Sequence, residues 1–69
     1  DYDKEISSEL LNNMLQKLPE VTGNVFNLFA IDGYSHKEIA DLLKISEGTS
    51  KWHVNNARTL LKQMINELN

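Results

Sequence analysis

The residues of this chain best suited to hydrogen-bond chemistry lie in its last third and recur at helical spacing. At about 100° per residue, one side of the segment from residue 46 onward carries mostly polar side chains. They are Lys51, Trp52, Asn55, Asn56, Thr59, Lys62 and Gln63. Asparagine can bond bidentately to adenine, lysine reaches guanine or phosphate, and a threonine methyl group can touch that of thymine. The pattern is typical of a helix face that contacts base edges in a DNA groove.

Two further side chains flank this polar side. His53 and Arg58 lie at its margins, where long side chains reach the DNA backbone. Trp52 projects from the polar side, so it is not expected in the core. It suits either packing against bases and sugars or anchoring a protein partner, because tryptophan is enriched in interface hot spots. A polar helix face is more often merely solvated, so the DNA interpretation depends on the preceding segment.

That preceding segment has the pattern of a helix-turn-helix. Ser35 and Glu38 form a capping box at the start of a short helix predicted over residues 35–43. A three-residue turn around Ile45 follows, and Ser46 is the expected N-cap of a longer helix over residues 46–68. Motifs of this kind place their second helix in the major groove.

Two more helices are predicted to support the motif, over residues 4–17 and 20–31. Leu18-Pro19 separates them, because the residue before proline is disfavoured in a helix. Asp32-Gly33 ends the second, with glycine as a left-handed cap. The expected fold is all-α: a single four-helix domain over residues 1–69, with no sheet. Its expected apolar faces are Ile6, Leu10, Met14 and Leu18; Val21, Val25, Leu28 and Phe29; Ile39, Ala40, Leu42 and Leu43; and Ser50, Val54, Ala57, Leu61, Met64, Ile65 and Leu68.

Composition narrows the class of protein. The chain has 69 residues, a net charge of −3 and no cysteine, which fits one small domain in a reducing cytoplasm. Residues 1–20 carry five acidic and two basic side chains, a net of −3, whereas residues 46–69 carry two acidic and three basic ones, a net of +1. The negative charge therefore lies away from the predicted DNA-contacting helix. No membrane span, metal site, cofactor site or catalytic constellation is expected, and an enzyme is not predicted.

Together these motifs resemble a known family. Leu18-Pro19, the run Val25–Phe29, the run Gly33–Ala40, Ile45–Thr49 and Asn56-Ala-Arg58 occur in an order and spacing similar to region 4 of sigma-70-family factors. Among these factors, the extracytoplasmic-function (ECF) group is the most similar. The resemblance extends over roughly residues 10–65 and implies the C-terminal part of a longer bacterial sigma factor.

The resemblance implies partners and contact residues. It implies a domain that docks on the β-subunit flap of RNA polymerase and inserts its last helix into the promoter −35 element. An anti-sigma factor is a further implied partner. The DNA contacts it implies are Gly48, Thr49, Lys51, Trp52, His53, Asn55, Asn56 and Arg58.

Four positions depart from the family pattern. Lys44 stands where many members have the turn glycine, and a left-handed residue other than glycine costs on the order of 1 kcal/mol. Ser50 replaces a usual aliphatic residue and is expected to loosen the start of the last helix. His53 and Asn56 occupy positions that are often arginine in the family.

Two alternatives remain at the level of sequence. The effector domain of LuxR-type regulators has a similar pattern around Ser35–Ala40 and Lys51–Val54. Leu18-Pro19, Ala57-Arg58 and the length of the last helix argue against it, and LuxR domains usually bind DNA as dimers. The other alternative is a helical protein-interaction module without DNA binding, which the acidic composition and Trp52 would suit.

Overall fold

The computed structural model describes residues 7–68, in which helices account for all the regular secondary structure. The α-helices are α1 (Ser8–Gln16), α2 (Glu20–Phe26), α3 (His36–Leu43) and α4 (Glu47–Glu67), and α2 continues as a π-helical segment, Asn27–Ile31. No strand occurs in this range. The predicted all-α, four-helix fold class is confirmed.

The first helix begins later than the predicted residue 4. Ser7 is extended, with φ −65° and ψ 158°, and its hydroxyl oxygen accepts a hydrogen bond from the N–H of Leu10 at 3.1 Å. Ser7 is therefore the N-cap rather than a residue of the helix interior. The predicted helical residues 4–6, including Ile6, lie outside the described part of the chain.

The second helix changes its winding before it ends. The N–H of Asp32 donates to the carbonyl of Asn27 at 2.9 Å, a spacing of five residues instead of four. Gly33 then adopts φ 82°, which glycine tolerates without steric cost. The predicted stop at Asp32-Gly33 is confirmed, but the last turn of the helix is wider than the simple α-helical periodicity implies.

Three helices meet in one small core. Val25 of α2, Ile39 of α3 and Val54 of α4 are buried together. Half-buried apolar side chains surround them: Phe26, Leu28, Phe29, Leu43 and Ile45. Since each of the three helices contributes one central residue, this cluster fixes α4 against both α2 and α3.

Several residues predicted to lie in the core are exposed. Val21 and Leu42 are about half exposed, and Thr22 is buried where Val21 was expected. On α4 the predicted apolar stripe is buried at Ser50, Val54 and Ala57, half-buried at Leu61 and Met64, and exposed at Ile65 and Leu68. Ile65 and Leu68 are exposed because of the length of α4, which is about 31 Å long, whereas α3 is only about 12 Å long. The last turns of α4 therefore extend past the helices that cover its beginning.

The turn between α3 and α4 has the predicted three residues. Lys44 adopts φ 61° and ψ 45°, the left-handed conformation. The N–H of Ile45 donates to the carbonyl of Ala40 at 3.0 Å, and Ser46 is extended as the N-cap of α4. This turn sets the angle at which α4 leaves α3.

None of the helices described between residues 7 and 68 is long and apolar enough to cross a bilayer.

Candidate nucleic-acid interface

The start of α4 is capped by its own side chains. The hydroxyl oxygen of Ser46 accepts from the N–H of Thr49 at 2.9 Å, and the same hydroxyl donates to Oγ1 of Thr49 at 2.8 Å. Thr49 is exposed, so its hydroxyl lies at the surface of this turn. A Cβ at Gly48 would meet only Ser46 Oγ, at 3.9 Å, so packing within residues 7–68 does not require glycine there. The first turn of α4 thus presents an open backbone and an oriented hydroxyl.

The outer side of α4 carries four of the eight predicted contact residues. Lys51, Asn55 and Arg58 are exposed, and Trp52 beside them is 58% exposed. Their spacing of three and four residues places them on neighbouring turns of one helix. Asn56 is half-buried and lies at the edge of this face. We call Lys51, Trp52, Asn55 and Arg58 the outer face of α4.

His53 is positioned differently from the outer face. It is half-buried, and its Nδ1 atom lies 2.9 Å from the hydroxyl oxygen of Thr22 on α2. Its ring also meets that of Trp52 edge-on, with centroids 5.0 Å apart and planes at 78°. One nitrogen of His53 is therefore engaged inside the protein, and the ring is held against α2 at the margin of the outer face.

Thr22 is a residue that the sequence analysis missed. It is only 2% exposed, although a threonine beside the apolar Val21 was not expected in the core. Its spacing offered a signal, because Thr22 follows Leu18 by four residues and precedes Val25 by three, and both of these are buried. A polar residue on such an apolar stripe requires a hydrogen-bond partner, which here is His53.

Ser50 and His36 form a second hydroxyl–imidazole pair. Nδ1 of His36, the first residue of α3, lies 2.8 Å from Oγ of Ser50, which is fully buried. The imidazole also stacks on Phe29, with ring centroids 4.3 Å apart and planes at 12°. The expectation that Ser50 loosens the start of α4 is corrected by this contact, because its hydroxyl links α4 to α3.

The outer face also differs in charge from the rest of the domain. Lys51 and Arg58 give it two positive charges, whereas the chain as a whole has a net charge of −3. Lys62, further along α4, and Lys37, near the start of α3, are also exposed. Within residues 7–68, no group of three or more acidic, histidine or cysteine side chains is arranged to hold a metal ion. The two histidines are instead bonded to hydroxyls. The chemistry that this surface offers is hydrogen bonding and cationic contact.

A separate groove lies between α1 and α2. It has a volume of about 440 Å³ and is lined by amide, acidic and apolar residues: Asn12, Leu15, Gln16, Leu18, Glu20, Gly23, Asn24, Asn27 and Ile31. None of its lining residues belongs to α3 or α4. The groove and the outer face of α4 therefore have no residue in common.

The comparison with known families agrees with this geometry. The family model described as sigma-70, region 4, matches residues 8–61. The matched segment contains α1 to α3, most of α4 and all eight predicted contact residues. No significant match was found among curated proteins or among solved structures. Since the family model covers well over half of the chain, the chain belongs to the sigma-70 region 4 family.

Proposed function

We propose that this domain recognises the −35 element of promoters as region 4 of an ECF-type sigma factor. The observation that carries the proposal is the division of α4 into two sides. Over the same turns, Ser50, Val54 and Ala57 are buried against the domain while Lys51, Trp52 and Asn55 are exposed. A helix held in this way presents one fixed set of side chains to a major groove.

The proposed contacts divide into base readout and backbone contact. Lys51 and Asn55 have the chemistry to read guanine and adenine, respectively, in the major groove. Gly48, Thr49, His53 and Arg58 lie at the start or margins of the outer face and are assigned to the phosphates. Asn56 is assigned a contact at the groove edge, and Trp52 packs against bases or sugars. Most hydrogen bonds in protein–DNA complexes go to the DNA backbone, so a set with more phosphate contacts than base contacts is expected.

The proposed protein partners are the β flap of RNA polymerase and an anti-sigma factor. Membership of the sigma-70 region 4 family supports polymerase docking. The groove between α1 and α2 supports it further, because its lining is distinct from the outer face of α4. Polymerase and promoter could therefore be engaged by one copy of the domain at the same time. The proposed location is the cytoplasm, where transcription takes place in bacteria.

An amide chemical-shift titration of the chain with randomised DNA duplexes at low salt tests the proposal. Shifts are expected to concentrate on residues 46–59 and to disappear at high salt, because phosphate contacts release counterions. No shifts at millimolar duplex would contradict DNA binding and would favour a module that binds protein alone.

Matched variants sharpen this titration. Lys51→Ala and Asn55→Ala remove outer-face groups, whereas Lys17→Ala and Asn13→Ala remove the same chemical groups from exposed positions around α1. Weaker DNA binding is expected for the first pair only. Equal affinity in all four variants would overturn the assignment of the outer face.

A further inference from the structure

We infer that Thr22 is a positioning residue for DNA binding: it fixes the tautomer and orientation of His53 so that Nε2–H donates to a backbone phosphate. The inference rests on the proposed DNA-binding function and adds a residue on α2, outside the helix-turn-helix. Oγ1 of Thr22 lies 2.9 Å from Nδ1 of His53, and this contact joins residues 31 positions apart in the sequence.

Burial determines which of the two groups donates. Thr22 is 2% exposed, so its hydroxyl hydrogen cannot rely on bulk water. Within residues 7–68, the hydrogen-bond partner of this hydroxyl is Nδ1 of His53. If Nδ1 carried the proton and donated to Oγ1, the hydroxyl hydrogen would be left without an acceptor in that range. The satisfied arrangement is therefore the hydroxyl donating to Nδ1.

This arrangement makes Nε2, the other ring nitrogen of His53, a hydrogen-bond donor. A neutral imidazole has one N–H and one acceptor nitrogen, so an accepting Nδ1 leaves the proton on Nε2. The N–H of Nε2 diverges from the direction of Thr22 and hence from α2. Phosphate oxygens only accept hydrogen bonds, so they bind this tautomer, whereas the opposite tautomer would present a lone pair to them.

The position of His53 suits a phosphate better than a base. It is half-buried beside the exposed Trp52 and the buried Val54, so it lies at the margin of the outer face. Groups at the margin of a reading helix lie against the backbone that borders the groove. The hydroxyl–imidazole pair thus supplies a fixed neutral donor at a position where a longer cationic side chain would pay more rotamer entropy.

The tautomer can be measured without DNA. Long-range ¹H–¹⁵N correlation spectra of the ¹⁵N-labelled chain distinguish the two neutral forms of each histidine. The wild-type chain and Thr22→Ser, which keeps the hydroxyl, are expected to show the Nε2–H form of His53. Thr22→Val keeps the shape but loses the hydroxyl, and a mixture of the two forms is expected. An Nδ1–H form in the wild-type chain would overturn the inference even if every variant failed to fold.

Affinity for the pool of randomised duplexes supplies the second readout. A phosphate contact affects all sequences alike, so the pool suffices. Thr22→Val is expected to bind about three- to tenfold more weakly than the wild-type chain, the size of one lost hydrogen bond, and Thr22→Ser nearly as tightly. Circular dichroism and amide dispersion monitor folding of both variants.

The outcomes separate this inference from the proposed function. If Lys51→Ala lowers the affinity for DNA while Thr22→Val and Thr22→Ser both bind nearly as tightly as the wild-type chain, the role of Thr22 alone is overturned. Absence of wild-type binding to the duplex pool would overturn both, because no phosphate would then be contacted. Equal weakening in Thr22→Ser and Thr22→Val would assign the loss to packing rather than to the hydroxyl, and would also overturn the inference.

Discussion

Nδ1 of His36 lies 2.8 Å from Oγ of Ser50, and this hydrogen bond joins the first residue of α3 to the fully buried side of α4. The two residues are 14 positions apart and lie on either side of the turn at Lys44–Ser46. Stacking on Phe29 holds the same imidazole from its face. The contact therefore fixes α4 relative to α3 at the end where DNA is proposed to bind.

Removing the Ser50 hydroxyl is expected to destabilise the fold. Ser50→Ala leaves Nδ1 of His36 without its partner and should lower the free energy of unfolding by about 1 kcal/mol. His36→Phe retains an aromatic ring against Phe29, and the double variant completes a cycle. A coupling energy of about 0.5–1.5 kcal/mol is expected from urea denaturation of the four proteins. Strictly additive effects would show that the contact contributes nothing.

The left-handed Lys44 offers a stabilising substitution. Its φ of 61° strains any side chain with a Cβ, so Lys44→Gly should raise the free energy of unfolding by about 0.5–1 kcal/mol. Lys17→Gly is the matched control, because Lys17 is also an exposed C-cap residue but has φ −83°. The control should be destabilised, since glycine there only adds freedom to the unfolded chain. Thermal unfolding of both variants gives the comparison, and shifts of the same sign would contradict the argument from backbone strain.

The salt dependence of DNA binding should reveal the cationic contacts. Lys37, Lys51, Arg58 and Lys62 are exposed, and neutralising about three phosphates with them gives a slope of log K against log salt of about −3. Arg58→Ala should reduce the slope by about 1, because Arg58 is assigned to a phosphate, and Lys17→Ala should leave it unchanged. Fluorescence anisotropy of a labelled duplex at several salt concentrations measures the slope. A value near zero would mean that electrostatic attraction does not hold the complex.

Trp52 provides an intrinsic probe of the outer face. It is the only tryptophan in the chain and is 58% exposed, so its emission should shift to the blue when DNA covers it. Titration to saturation should give one domain per duplex site, as expected of sigma region 4, rather than the two of a dimeric LuxR-type regulator. Acrylamide quenching before and after DNA addition checks the burial. If the emission wavelength of Trp52 does not change with duplex DNA but shifts when RNA polymerase is added, Trp52 belongs to a protein interface.

Features that depend on neighbouring residues were predicted from the sequence. The capping box of Ser35 and Glu38 is present with both of its hydrogen bonds, and Ser46 caps α4. The stop at Gly33 is likewise confirmed. Caps and turns are decided by side chains within three or four residues of the backbone groups that they satisfy, so local sequence is sufficient to specify them.

The faces of the helices were predicted less completely. Helical periodicity identified Val25, Ile39 and Val54, the centre of the core. It also assigned Leu42 and Leu68 to the core, and both are more than half exposed. Periodicity shows which residues share a side of a helix, but not how far a neighbouring helix extends along that side.

Only the tertiary structure decided how the polar residues are paired. The bonds from Thr22 to His53 and from Ser50 to His36 join residues 31 and 14 positions apart. In the sequence, Ser50 interrupts an apolar stripe, and Thr22 belongs to no recognisable motif. A buried hydroxyl needs a hydrogen-bond partner, and at both of these positions the partner lies on another helix. Which side chains meet across helices is set by the fold as a whole.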